Sequence, residues 1–430
     1  MEKELTILKN LSGNFYGIFV NIFNQILLIP YYIKFWGVDM YSDWIALTAI
    51  SNFFTMSDIG LNTVTNNQYS IAFNNGKFYE CKALLANNAL LIIVVFVGTI
   101  ILVLPCCLSG LAQSVLSLRV IPYNKGFLVV SALVFKIFLS MQIGVCSSIY
   151  RAVSKAYIPF YLKNTSSLIE SIIILVCVIL KCDVVLIAAL FCIPNIILLI
   201  YMLIDTKINY NEVINFRYID LKVFKEILKP SIAFMSFPLG YAVIMQGFTL
   251  IVNKYFGASD VVLYNTTRTM CNFIKVIPNA IKNAVWPEFT IAFAKSDFDK
   301  MILLHKKTLI VTSVIITCIA FVFCSFGDYI YKIWLGDSVN FSLILMVTYM
   351  ISIIFNTLWE TSGMTLMATN QHSKMGTTFL VLSVFSFLGA LGCSKVGCSL
   401  FVIVIMVLFV DVIMSLYVLR RSRSLLFRMS

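Results

Sequence analysis

The sequence has 430 residues, of which 60% are hydrophobic and only 12% are charged. Globular proteins carry roughly 25% charged residues, so this chain has too little polar side-chain surface to coat a water-soluble body. Lys and Arg exceed Asp and Glu by 12, an excess that reports orientation in a membrane protein rather than nucleic-acid binding. The composition therefore excludes a soluble enzyme and indicates a polytopic membrane protein.

Apolar runs of about twenty residues, each long enough to cross a bilayer, recur along the chain. They predict an all-α protein with about 12 transmembrane helices. The first six lie near residues 11–33, 41–62, 86–107, 126–149, 159–180 and 183–204. The second six lie near residues 231–253, 262–286, 308–327, 342–367, 375–394 and 399–419. The first run lacks a small-residue cleavage site, so we expect it to stay as a helix rather than to be removed as a signal peptide.

Basic residues are unevenly distributed between the predicted loops. With the N-terminus inside, 21 Lys and Arg residues fall on the inner side and 7 on the outer side. Because cytoplasmic loops are enriched in Lys and Arg, this distribution predicts that both termini are cytoplasmic. Trp36, Trp44 and Trp334 lie at predicted outer ends, as expected of an interfacial aromatic belt.

Two short stretches recur at an offset of 220 residues: residues 7–9 at 227–229, and residues 34–37 at 254–257. An even number of spans in each copy makes the copies parallel, and transporters of this kind place their site between the halves near the membrane midplane. We therefore predict two parallel six-helix lobes, residues 1–215 and 216–430, with a central cleft.

Charged residues inside membrane helices are costly and mark functional sites. The candidate substrate-binding residues are Arg268, Lys275, Lys282, Asn265, Asn272 and Lys136. The first three follow one another at intervals of seven residues on the eighth predicted helix and so share a face. This face is predicted to meet water or anions. For Lys282 alone, snorkelling to the cytoplasmic interface is an equal alternative.

Four acidic residues also fall inside predicted helices: Asp58, Glu170, Glu360 and Asp411. They could balance the buried cations as structural ion pairs, or they could take up protons and couple transport to a proton gradient. The ion-pair interpretation is favoured, because a buried charge needs a partner. If coupling holds, an Asn or Gln replacement of Asp58 or Glu360 is expected to abolish gradient-driven turnover.

No cofactor or metal site is predicted, because the chain has only two histidines and no CxxC pair. Most cysteines lie in apolar runs and are expected to be reduced and packed, although one exported-side disulfide is conceivable. The chain contains no GxxxxGK[ST] motif, so we do not expect it to hydrolyse ATP. The outer loops are too short for the catalytic loop of a membrane glycan polymerase or transferase.

Motifs in two parts of the chain carry a family resemblance. They are residues 30–37 (PYYIKFWG), Tyr41, Trp44 and residues 57–61 (SDIGL), and then Tyr264, Arg268 and residues 287–288. Together they resemble the Wzx-type O-antigen flippases, polysaccharide transporters of the multidrug/oligosaccharidyl-lipid/polysaccharide exporter superfamily. Length, helix number and helix order match that family along the whole chain. Ser42 departs from the pattern, in which a glycine commonly follows the tyrosine.

The resemblance implies a flippase of the bacterial inner membrane, without enzymatic activity, that moves an undecaprenyl-diphosphate-linked oligosaccharide from the cytoplasmic to the periplasmic leaflet. In such families the first, second, seventh and eighth helices line the cleft. Besides the eighth helix, polar stripes fall on one face of the first predicted helix (Asn10, Asn14, Gly17, Asn21 and Asn24) and of the second (Ser51, Thr55, Asp58 and Asn62). A polysaccharide polymerase and its chain-length machinery are candidate partners; nucleic acid is not. A multidrug or cation antiporter of the same superfamily is the alternative, and it should have an acidic cleft. A membrane glycan polymerase is a third hypothesis.

Overall fold

The structure, a computed structural model, describes residues 12–13, 16–24, 26–108, 117–153, 155–294, 297–336, 339–369 and 373–429. Within these ranges a few side chains, including that of Asp58, lie outside the described set. All regular secondary structure in the described ranges is helical. The predicted all-α fold class is confirmed.

The chain divides into two compact units, Met1–Pro238 and Leu239–Ser430. The helices of the first unit are α1 (Leu28–Asn74), α2 (Phe78–Leu108), α3 (Tyr123–Ala152), α4 (Tyr157–Ile179), α5 (Val184–Leu190), α6 (Cys192–Tyr210) and α7 (Leu221–Phe234). A short helix, α8 (Ser236–Ala242), follows at the boundary. Those of the second unit are α9 (Phe248–Tyr255), α10 (Ala258–Phe273), α11 (Val276–Ala294), α12 (Phe298–Leu335), α13 (Leu343–Ala368), α14 (Ser373–Lys395) and α15 (Leu400–Met429). A π-helical turn, Val243–Gly247, joins α8 to α9.

Ten helical stretches in the described residues are long and apolar enough to cross a membrane. Two of the twelve predicted spans do not appear as separate stretches among these ten. The second predicted span continues from the first within the long helical stretch that contains α1, and the eighth is divided between α10 and α11. The chain is a multi-pass membrane protein with roughly the number of helices expected.

Residues 216–238 belong with the first unit, whereas the sequence-based division assigns them to the second half. The physical reason is the packing of α7 against α1 and α2. Ile227 of α7 is fully buried in a core cluster with Tyr69 and Leu85. This apolar contact fixes the segment to the first unit. It overlaps the polar stretch of residues 205–229, which its five basic and four acidic residues predict to be the linker between the lobes.

The two recurring stretches lie at corresponding junctions in the fold. Gly37 interrupts α1 with φ 77°, in the left-handed region that favours glycine, and so separates the first two spans. Gly257, its counterpart in the second unit, precedes the first residue of α10. Each glycine therefore stands between the first and second spans of its half.

One helix in each unit organises the packing. In the first unit α3 packs against α1, α2, α5 and α6, and in the second unit α13 packs against α10, α11, α12 and α15. The polar residues discussed below extend from these central helices or from the helices that contact them. The ten described cysteines all carry free thiols; the side chains of Cys106 and Cys107, at a predicted outer end, lie outside the described set.

Candidate functional site

The eighth predicted span is broken at Ile274 and Lys275, so the expectation of one continuous helix is corrected. Pro278 has no amide hydrogen, and the carbonyl of Ile274 therefore lacks the donor that a helix would supply four residues later. The chain turns more tightly instead, and the amide of Lys275 donates to the carbonyl of Asn272 over 3.1 Å. Lys275 consequently lies at the junction of α10 and α11, rather than in the middle of a regular helix.

Glu360 on α13 holds two of the three predicted cations. Its Oε1 lies 3.1 Å from Lys275 Nζ, its Oε2 contacts Lys282 Nζ, and Tyr241 donates its hydroxyl proton to Oε1 over 2.5 Å. The three charged side chains are between 12% and 17% exposed. Lys282 thus points to a partly buried carboxylate, contrary to the alternative in which it snorkels to the interface.

A second carboxylate, Asp411 on α15, is satisfied by three donors from one face of α13. Ser352 donates over 2.5 Å, Asn356 over 2.9 Å and the indole nitrogen of Trp359 over 3.0 Å. The side-chain oxygen of Asn356 accepts a hydrogen bond from Lys275. One amide therefore connects the Asp411 group to the Glu360 group.

Arg268 on α10 is held by neutral acceptors. Its guanidinium donates to the carbonyl of Met245 over 2.5 Å, to Thr249 Oγ1 over 3.0 Å and to Asn265 Oδ1 over 2.6 Å. Met245 lies in the π-helical turn, a backbone feature that is frequent at functional sites. Among the described residues Arg268 forms no salt bridge, so its charge is oriented but not neutralised by a contact.

The cluster of these five charged residues in the second unit, which we call the Arg268 cluster, has three cations and two carboxylates. With both carboxylates ionised it carries one excess positive charge. Arg268, Asn272, Lys275 and Asp411 border a cavity of about 30 Å³. A cavity of this size has room for ordered water but not for a phosphorylated headgroup.

The remaining predicted cation, Lys136, lies in the first unit on α3. Its Nζ is 2.6 Å from Glu170 Oε2 of α4, and Glu170 Oε1 accepts a hydrogen bond from Asn195 over 2.5 Å. The Lys136 ammonium also lies 5.2 Å from the centre of the Phe191 ring. Lys136 is thus paired within its own unit and is not a member of the Arg268 cluster.

Sequence reasoning did not assign Tyr241, Ser352 or Asn356 to this site. Ser352, Asn356 and Trp359 are spaced by four and three residues, which places them on one face of α13. That polar stripe is a signal the sequence contains. Tyr241 has no comparable signal, because a single tyrosine in an apolar run is common. The described residues contain no group of His, Cys, Asp and Glu suited to a metal ion.

No protein-family model matches the chain, and no characterised protein matches it by sequence. Solved structures do match it by fold. An inward-facing multidrug resistance MATE family transporter of the MOP superfamily aligns over 95% of both chains, with a TM-score of 0.79 and 11% identity. An outward-facing multidrug resistance MATE family transporter aligns over 99% of this chain and 96% of that one, with a TM-score of 0.65 and 13% identity.

A third match is a MOP superfamily transporter from Pyrococcus furiosus, for which the reverse polarity of the binding pocket suggests a different function. It aligns over 99% of this chain and 96% of that one, with a TM-score of 0.67 and 12% identity. At such low identities the likeness establishes the fold alone. The chain has a MATE-like fold, and these structural neighbours are transporters.

Proposed function

We propose that this chain is a flippase of anionic lipid-linked glycans. Its cargo is an undecaprenyl-diphosphate-linked O-antigen or related repeat unit, which it moves from the cytoplasmic to the periplasmic leaflet of the bacterial inner membrane by alternating access. The observation that carries the proposal is the excess positive charge of the Arg268 cluster. The chain is a transporter and not an enzyme in this proposal.

A diphosphate that carries sugars cannot cross hydrocarbon unaided, because burying its charges without partners is too costly. Arginine suits such a group, since its planar guanidinium remains charged and can donate two parallel hydrogen bonds to phosphate oxygens. Arg268 is oriented by a carbonyl, a hydroxyl and an amide oxygen. A phosphate that reaches Arg268 therefore meets a guanidinium group that no carboxylate of the described residues contacts.

Lys275 and Lys282 take part by exchanging partners. Without cargo, both ammonium groups lie against Glu360, whose single negative charge offsets one of their two positive charges. When a phosphate arrives, its oxygens replace Glu360 as acceptors for one or both lysines. The 30 Å³ cavity is too small for the headgroup, so binding requires helix movement. The turn at Lys275 and the π-helical turn supply two irregular points where α10 and α9 can bend.

The test is export in a flippase-deficient strain that is complemented with this chain and supplied with defined glycan repeat units. Arg268→Ala and Lys275→Ala are expected to reduce surface glycan at least tenfold while the protein remains in the membrane. Lys332→Ala is the matched control, because Lys332 is an exposed residue paired with Asp328. Lipid-linked repeat units should accumulate facing the cytoplasm. Full export by both variants would reject the cationic mechanism, and flipped but unpolymerised units would favour a polymerase.

A multidrug antiporter is the second candidate, since two of the structural neighbours are multidrug resistance transporters. A cationic drug is stabilised by a site with excess negative charge, whereas the Arg268 cluster has the opposite sign. Expression in a drug-sensitive strain distinguishes the two candidates. Resistance to cationic dyes without any rescue of glycan export would support the antiporter and reject the flippase.

A further inference from the structure

The first unit contains a second polar cavity, of about 260 Å³, which is separate from the Arg268 cluster. The polar residues that line it are Thr48, Ser51, Asn52, Thr55, Lys136 and Ser140. Trp44 and Phe191 contribute aromatic rings to the same wall. We propose that this cavity, here called the Ser51 cavity, is a carbohydrate subsite that holds one uncharged pyranose ring.

The polar residues come from the facing sides of α1 and α3. Thr48, Ser51 and Thr55 are spaced by three and four residues, so they lie on one face of α1 in successive turns. Lys136 and Ser140 are likewise one turn apart on α3. Polar side chains inside membrane proteins face a cavity or pair with other polar groups, and here the side chains of both helices line one cavity. The cavity is thus built for a hydrogen-bonding occupant.

The hydroxyl groups of α1 are set up as acceptors. Thr48 donates its proton to the carbonyl of Trp44 over 2.9 Å, Ser51 donates over 3.1 Å and Thr55 over 2.7 Å, each to a carbonyl in the preceding turn. With their protons used in this way, the three oxygens present only lone pairs to the cavity. The matching ligand is one that is rich in O–H donors.

The charge of the cavity wall is balanced as far as its described side chains are concerned. Lys136 is paired with Glu170 at 2.6 Å, so the cation brings no excess charge of the kind found in the Arg268 cluster. The ammonium group has three protons, and the lysine side chain is 27% exposed. It can still donate a hydrogen bond to a ring or hydroxyl oxygen. These properties select an uncharged polyol rather than a phosphate or a cationic drug.

The aromatic part of the wall suits the apolar face of a sugar ring. Trp44 and Phe191 meet edge to face, with ring centres 6.1 Å apart. Aromatic side chains combine a large apolar surface with low conformational cost on binding. The volume of about 260 Å³ is just below the usual range for small-molecule pockets, which starts at roughly 300 Å³. It therefore fits a single ring rather than an oligosaccharide. The physiological role of this subsite rests on the proposed function, since the cargo carries sugars.

The test is saturation-transfer difference NMR on the full-length chain in lipid nanodiscs. The probes are the methyl glycosides of hexoses and of N-acetylhexosamines. At least one glycoside should show transfer to its ring protons, and Ser51→Leu, which fills the cavity, should remove this signal. Thr65→Val is the matched control: Thr65 is a buried residue of the same helix that does not line the cavity. It should keep the signal.

A milder variant covers the case in which Ser51→Leu fails to fold. Thr55→Val removes one acceptor oxygen at nearly constant volume and should weaken glycoside binding about fivefold. Absence of transfer from every glycoside to the folded wild-type chain would overturn the proposal, and so would equal signals for the wild type and Thr55→Val. Arg268→Ala should leave glycoside binding unchanged. If the chain binds a glycoside and Arg268→Ala exports glycan at the wild-type level, the proposed function is rejected. The sugar subsite is not rejected by that result.

Discussion

Lys275 Nζ lies 3.1 Å from Glu360 Oε1, although the two residues are 85 positions apart in the chain. Their ion pair joins the break between α10 and α11 to the central helix α13. Lys282 contacts the other oxygen of the same carboxylate. A single acidic side chain therefore fixes the positions of two cations that the proposed function assigns to substrate binding.

This arrangement predicts the effect of removing Glu360. Glu360→Gln should lower the free energy of unfolding by roughly 3–5 kcal/mol, because two buried ammonium groups lose their counter-charge. The double variant Glu360→Gln with Lys282→Met should recover part of this loss. Denaturant unfolding in mixed micelles measures both. An unchanged midpoint for Glu360→Gln would contradict the pairing described here.

The helix break predicts the effect of replacing Pro278. Pro278→Ala supplies the amide hydrogen that the carbonyl of Ile274 lacks, so α10 and α11 should merge at the expense of the ion pair between Lys275 and Glu360. The merger moves Lys275 away from its place at the junction. We expect reduced export with little change in thermal stability, because the added hydrogen bond and the lost ion pair oppose each other. A variant that exports at the wild-type rate would show that the break has no role in the site.

Glu212, which follows α6 outside the membrane spans, predicts a pH-dependent stability. It is 6% exposed, and its Oε2 has no hydrogen-bond partner in the described part of the chain. Burial raises its pKa above the ordinary value, while Lys82 opposes that shift. A carboxyl with a raised pKa in the folded state contributes stability that is complete below its unfolded pKa, about 4.3, and is lost as the pH rises through the folded pKa.

Glu212→Gln should therefore raise the Tm at pH 8, and the difference from the wild type should shrink towards pH 4. Glu226→Gln, at an exposed position on α7, is the control and should show little dependence on pH. Thermal unfolding at several pH values measures the effect. A difference in Tm that stays constant from pH 4 to pH 8 would contradict the burial of an ionising carboxyl at position 212.

The sequence is sufficient to locate Arg268, Lys275 and Lys282, because charges within apolar runs stand out. It also identifies Glu360 and Asp411 as buried acids. The sequence does not show which acidic side chain pairs with which basic one. Contacts such as that between Lys275 and Glu360 depend on how α13 packs against helices that are far from it in the sequence. Pro278 is a signal for the helix break that the predicted span 262–286 does not take into account, whereas the π-helical turn that presents the Met245 carbonyl to Arg268 has no such signal in the sequence.

The position of the boundary between the units is a similar case. The polar stretch of residues 205–229 is predicted from its charges to connect the two halves, and it overlaps the segment 216–238. Its assignment to the first unit follows from a few apolar residues of α7, such as Ile227, that insert into a core formed by α1 and α2. Amphipathic helices of this kind can dock on either neighbour, and only tertiary packing decides which.

The central claim, that Arg268 provides uncompensated positive charge for a phosphorylated headgroup, is tested most directly by binding. The affinity of the purified full-length chain in nanodiscs for a short-chain prenyl diphosphate should fall at least tenfold in Arg268→Ala, equivalent to about 1.4 kcal/mol. Arg268→Lys should be intermediate, because lysine keeps the charge but loses the planar fork. Equal affinities of the wild type and Arg268→Ala for the diphosphate would contradict the account.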